Sequence, residues 1–166
     1  SHYPTTLFYK EDRLKQLEED ISTVKIDGKD VPVKLRVFDS IYVPLAKWSM
    51  LLTGNYRCIT RSEPRSICDA VHSDLSKSQS IYEFVDKLAQ RLGADPSDAV
   101  PFEKYANAAE SLLNPSSAAR SVAAGAPFIE RVDVLVQLIA RDLGLSNAHI
   151  DETVKIVDEQ LEANVL

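Results

Sequence analysis

An all-α domain carrying one small β-hairpin near its N-terminus is the fold this sequence predicts. From about Ser40 onward, apolar residues recur at helical spacing through most of the chain. Alternation at period two is confined to one short stretch, Thr23-Val-Lys-Ile-Asp-Gly-Lys-Asp-Val31. The 166 residues, 45% of them hydrophobic, fit one domain with a real core, with no internal repeat, low-complexity tract or linker.

The elements follow in order. Residues 10–20 read as a short charged helix with Leu14, Leu17 and Ile21 on one side. Asp27-Gly28, between alternating residues, is the strongest hairpin signal a short sequence gives, and Pro32 should end the second strand or keep it at an edge. Asp39 or Ser40 can cap a helix running through Trp48 to about Leu52, with Gly54 loosening its end. Ser62-Glu-Pro64 suits a helix start, with Ile67, Ala70, Val71 and Leu75 apolar behind it. Ser80 suits the cap of a further helix, Ile81 to Leu92, which Gly93 closes. Asp95-Pro-Ser-Asp98 is a turn, and Pro101 to Leu113 a helix that Asn114-Pro-Ser-Ser117 breaks. Phe128 to Leu143 is apolar around most of its circumference, so it should be the most buried helix, with Glu130, Asp133, Gln137 and Arg141 as a narrow polar stripe. Gly144 stops it, and Asn147 or Asp151 can cap a last helix to about Glu162.

Composition narrows the function. The formal net charge of -6 argues against nucleic acid and anionic membrane as partners. No run of eighteen apolar residues exists, so no membrane span is expected, and the N-terminus has the pattern of neither a secretory nor an organellar leader. Cys58 and Cys68, with no histidine at metal spacing, read as two reduced, part-buried thiols, which fits a cytoplasmic protein. His2, His72 and His149 read as surface residues. The chain begins at Ser1 and its one methionine is Met50, so the sequence reads as a fragment or processed form of a longer protein.

Chemistry concentrates at Lys47-Trp-Ser-Met-Leu-Leu-Thr-Gly-Asn55 and at the later Asn114-Pro-Ser-Ser117 and Gly125-Ala-Pro127. Lys47 and Asn55 are separated by a little over two helical turns, so both can face one cleft. Ser117 stands on a loop leading into the apolar helix. A cation, an amide and a hydroxyl from separate elements suit a small anionic, oxygen-rich molecule. Each also has a plainer reading. Lys47 can lay its stem on Trp48 and its charge in water. Asn55 can be a left-handed helix terminus, Ser116 and Ser117 a turn or cap, and Glu130 and Asp133 a solvated stripe pairing with Arg131 or Arg141. Arg57, Arg61 and Arg65 recur every four residues. They read as a solvated basic face, or more sharply as an anion or phosphate site.

This pattern resembles the C-terminal helical domain of the ketopantoate reductase (2-dehydropantoate 2-reductase) family, in divergent form. The family has a helix starting near Trp-x-Lys-Leu, with asparagines four and eight positions after the lysine. Here Lys47 falls on the lysine, Leu51 on the first asparagine and Asn55 on the second. A later Pro-Ser-x-x-x-Asp segment matches Pro115 to Ser121, with Ser117 aligned and Ser121 in place of the aspartate. In the family's Gly-Arg-Pro-Thr-Glu-Ile-Asp run, Gly125 and Pro127 align without a gap. The family glutamate then falls on Ile129, or on Glu130 if one residue is inserted, and both registers stand open.

The resemblance covers roughly Asp39 to Leu161. It implies a helical domain like the C-terminal part of 6-phosphogluconate dehydrogenase over residues 39–166, with residues 1–38 as a helix-and-hairpin extension. It further implies the substrate-binding and dimerisation half of an NADP-dependent 2-oxo acid reductase, in which Lys47 is the acid and Asn55, Ser117 and Glu130 bind substrate. A leucine at position 51 would leave one substrate oxygen unpaired, at about 1–3 kcal/mol. The five glycines (28, 54, 93, 125 and 144) are too dispersed for a Gly-x-Gly-x-x-Gly turn, so this chain should bind no dinucleotide and should be inactive alone. The expected partners are a small 2-oxo acid and a second copy of the chain. The other reading is a non-catalytic helical interaction module derived from the same fold, which Leu51 and Ser121 favour.

Overall fold

The computed structural model describes residues 11–31, 33, 35, 37 and 42–165. The expectations for Pro32, Asp39, Ser40 and His2 lie outside the described residues. The chain divides into two compact units, Ser1–Val43 and Pro44–Leu166.

In the first unit, α1 (Glu11–Thr23) precedes a hairpin of β1 (Lys25–Ile26) and β2 (Lys29–Asp30), antiparallel, with Ile26 opposite Lys29. Asp27 and Gly28 both take positive φ, 53° and 76°, as a two-residue turn matched to the right-handed strand twist requires.

Among the described residues every regular element of the second unit is a helix, so the fold is mainly α with this one hairpin. It begins with a composite rod. A 3-10 turn (Val43–Lys47) leads into α2 (Trp48–Met50), a π turn (Leu51–Asn55) and a second 3-10 turn (Tyr56–Cys58). The rod therefore runs through Gly54, where the sequence suggests a loosened end. Around it pack α3 (Ile67–His72), α4 (Leu75–Arg91), α5 (Phe102–Ala109), α6 (Ser117–Ala123), α7 (Val132–Asp142) and α8 (Ala148–Val165).

Several boundaries differ from expectation for identifiable reasons. Ser66, not Ser62, caps α3 by accepting from Asp69 N, and the break before α4 falls at Asp74, whose carboxylate accepts from Lys77 N at 2.9 Å. Ser80 is consequently an interior residue of α4. Beyond α5 the chain turns to satisfy the first turn of α3, with Leu112 O accepting from Cys68 N and Asn114 O from Ile67 N. Gly93, Gly125 and Gly144 end their helices at φ 111°, 88° and 69°. Asn147 caps α8, its Oδ1 accepting from His149 N at 3.0 Å.

Burial centres on α4, which hides Ser78, Ile81, Tyr82, Val85, Leu88 and Ala89. The helix expected to be most buried, α7, hides only Val132, Asp133, Val136 and Ala140 and leaves Leu135 and Leu138 about half exposed. Its apolar circumference is thus not fully covered within this chain. The main core joins Leu52, Tyr56 and Cys58 of the rod to Val85, Val136 and Val157, while Val71, Tyr82, Tyr105, Ala106 and Ala109 form a second cluster.

Candidate functional site

The composite rod shapes the site. Its π turn is closed by Tyr56 N–H reaching back five residues to Leu51 O. Gly54 allows this, because the Tyr105 hydroxyl lies where a Cβ on residue 54 would be, and there it donates to Met50 O at 3.2 Å. Any side chain at 54 would separate these groups. The wide turn also leaves Thr53 Oγ1 buried with no hydrogen-bond partner. Such turns inside α-helices recur at functional sites.

Of Lys47, Leu51 and Asn55, which recur every four residues along the rod, Lys47 is exposed, Asn55 is half-buried, and Leu51 is half-buried against the main core, whereas Ser49, Leu52, Thr53 and Gly54 are buried. Lys47 makes no ion pair or hydrogen bond with another described residue. Asn55 has ordinary right-handed helical geometry (φ -60°, ψ -50°), which removes the left-handed terminus as its explanation.

The far end of the rod meets α6 and α7. Ser116, 3% exposed, donates its hydroxyl to Asn55 O at 2.7 Å and accepts from Ala119 N at 3.1 Å. Ser117 is therefore not on a loop but is the first residue of α6, with its side chain exposed. Tyr56 donates to Glu130 O at 2.6 Å and accepts from Val132 N at 2.9 Å, so its hydroxyl marks where α7 starts. What is held of Glu130 is its carbonyl, and its side chain is exposed. Ser116 thus ties the Asn55 carbonyl to the start of α6 and Tyr56 ties the Glu130 carbonyl to the rod, while the side chains of Ser117 and Glu130 are exposed. Lys47 stands about two turns away on the same rod.

Local electrostatics reflect burial. Burial pushes the Tyr56 phenol up to about 12 against the opposing bond from Val132, with Asp133 and Glu130 adding to the rise. Burial likewise raises the Cys58 thiol, and bonds from Ser116 oppose it. Cys58 and Cys68 are both free thiols.

Sequence reasoning foresaw the burial of neither Asp133 nor Arg57. Asp133 is fully buried rather than solvated, and Arg131 holds it with two bonds of 2.9 Å while reaching Asp158 at 2.6 Å. Burial works to lower the Arg131 guanidinium, and the bonds to Asp133 and Asp158 outweigh it and raise the guanidinium instead. Arg57 is 6% exposed, with Nη1 donating to Thr53 O at 3.1 Å and to Ser78 Oγ at 2.8 Å. The four-residue spacing of Arg57, Arg61 and Arg65 was the available signal, but it describes no shared face, because Arg61 instead pairs with Glu159 at 2.8 Å.

Among the described residues no group of three or more His, Cys, Asp or Glu could hold a metal ion. Among the described residues there is no parallel strand–helix–strand unit, and the positive-φ glycines lie in a hairpin turn or between helices. No helix among them is long and apolar enough to cross a membrane.

Comparison of the chain with protein-family models, with curated proteins and with solved structures found no match.

Proposed function

We propose that this chain is the substrate-binding and dimerisation half of a cytoplasmic, ketopantoate-reductase-like oxidoreductase, with a small 2-oxo acid as ligand. The observation that carries the reading is that Lys47 is exposed and Leu51 and Asn55 only half-buried on a rod whose Ser49, Leu52, Thr53 and Gly54 are buried. Lys47, Leu51 and Asn55 are the positions at which the resembled family carries its lysine and two asparagines. Lys47 is exposed rather than turned into a cleft, so the reading requires a further domain to close over it. The Lys47 ammonium would pair with the ligand's carboxylate or 2-oxo oxygen and protonate that oxygen as it gains charge. Asn55 would hydrogen-bond a second oxygen, with Ser117 and Glu130 on the adjoining elements. The hydride and its NADP carrier belong to a separate nucleotide-binding unit.

The second reading is a helical interaction module without catalysis. Leu51 favours it, since an apolar group sits between Lys47 and Asn55. So does the half-exposed pair Leu135 and Leu138 on α7.

The deciding experiment titrates the isotopically labelled chain with ketopantoate and follows backbone amides. Shifts at Lys47, Asn55 and Ser117, lost in Lys47→Ala and enlarged in Leu51→Asn, support the reductase reading. Unresponsive amides at these positions at millimolar ligand leave the interaction module. An upstream reading frame without a glycine-rich strand–turn–helix unit would also end the reductase reading.

A further inference from the structure

Away from Lys47, Arg57 at the end of the rod and Arg65 ahead of α3 lie together, and neither makes an ion pair with a carboxylate among the described residues. Arg57 is pinned from below. Its Nη1 bonds Thr53 O and Ser78 Oγ, and the Ser78 proton goes on to Val71 O at 2.7 Å. Arg65 lies across it, its Nε donating to Arg57 O at 2.8 Å and its Nη1 to Ser73 Oγ at 3.4 Å. These four bonds fix both side chains in place before any ligand arrives.

The rest of each guanidinium is uncommitted. Arg57 Nε and Nη2 and Arg65 Nη2 have no partner among the described residues. The one buried side-chain nitrogen or oxygen without a partner among the described residues is Thr53 Oγ1, so these nitrogens reach solvent. Two carboxylates belong to the same region, and both are engaged. Asp74 accepts from Lys77 N at 2.9 Å and Asp69 from Ser66 Oγ at 2.7 Å, and neither is in ion-pair contact with an arginine. Burial, and after it the charge of Arg65, holds the Arg57 guanidinium down to about 10, against the opposing charge of Asp74.

We propose that Arg57 and Arg65, with Ser73 at their edge, form a binding site for a phosphate group. Planar guanidinium forks held in fixed positions match tetrahedral oxyanions, and the hydroxyl supplies one further donor. A bound phosphate would relieve the repulsion between the two cations. The site is independent of the reductase reading, since it includes none of Lys47, Leu51 and Asn55.

The test is thermal unfolding of the full chain in inorganic phosphate against chloride at matched ionic strength, with calorimetric titration of phosphate. The wild type should gain a phosphate-specific rise in midpoint. Arg65→Gln should weaken phosphate binding roughly tenfold or more, as loss of a charged hydrogen-bond donor does. Arg57 is buried and its replacement can unfold the chain, so Arg65→Gln and Ser73→Ala are the variants to use, each checked for unchanged helical circular dichroism. Arg61→Gln, which breaks the Glu159 pair, should leave phosphate binding intact. Glycerol 2-phosphate binding more tightly than inorganic phosphate would assign the site to a phosphate ester, and equal binding to the free ion. A midpoint that rises equally in chloride, or equally in Arg65→Gln, overturns the proposal.

Discussion

The Tyr105 hydroxyl occupies the volume that a side chain on Gly54 would need. Tyr105 is itself held by stacking on Tyr82, with ring centroids 5.4 Å apart, so it cannot easily withdraw. Gly54→Ala should therefore destabilise the chain by about 1–3 kcal/mol through overpacking, more than the ~1 kcal/mol that alanine gains over glycine in a helix. Tyr105→Phe removes the obstructing oxygen, so the double variant should be more stable than the two single effects summed. Urea unfolding of all four proteins measures the coupling, and strict additivity would mean the two residues do not share that space.

Asp133 depends on Arg131 for its place in the core. Arg131→Ala leaves a fully buried carboxylate without its two bonds and should cost about 3–5 kcal/mol. Asp158→Ala removes only the half-exposed partner and should cost far less. Denaturant midpoints that fall equally for both would contradict this ordering.

Adjacent serines at the start of α6 should behave very differently. Ser116→Ala loses a cap on Ala119 and a bond to Asn55 O, together about 1–2 kcal/mol. Ser117→Ala touches an exposed side chain and should stay within about 0.5 kcal/mol. Thermal melts of the pair decide it.

Stability should fall above pH 10. Burial raises Tyr56 and Tyr82 to about 12, and Tyr105 further still. In the unfolded chain these phenols ionise near pH ~10, so between there and 12 the folded state keeps protons that the unfolded state has lost. Their contribution is complete below pH ~10 and disappears as pH rises. Arg57, lowered by burial, acts in the opposite sense, but as one group against three. Absorbance at 295 nm should show three of the six tyrosines ionising only as the protein unfolds.

Local signals were legible in the sequence where one residue decides the backbone. Asp27-Gly28 set the hairpin, and Gly93 and Gly144 set two helix ends, because positive φ is readily adopted by glycine, whereas Gly125 ends α6, a helix not foreseen in the sequence. Features imposed from a distance were not. The π turn answers to Tyr105, the start of α7 to Tyr56, and the end of α5 to amides of α3. For the candidate site, the residue types at Lys47, Asn55, Ser117 and Glu130 could be read, but which atoms are held could not. Ser116 rather than Ser117 makes the buried contact, and Glu130 is held by its carbonyl. The burial of Asp133 was hidden because an amphipathic pattern does not reveal that Arg131 will fold back over it.

The π turn also has a consequence for counting along the rod. In an unbroken α-helix, residues eight apart are offset by about 80° around the axis. A π turn holds one residue more than an α turn, and the helix beyond it continues as though that residue were absent. Lys47 and Asn55 then stand to each other as residues seven apart would, an offset of only about 20°. The wide turn thus absorbs its extra residue, and Lys47 and Asn55 keep the bearing they would have in a regular helix one residue shorter, so deleting one residue between Leu51 and Gly54 should remove the π turn and leave the two polar ends aligned.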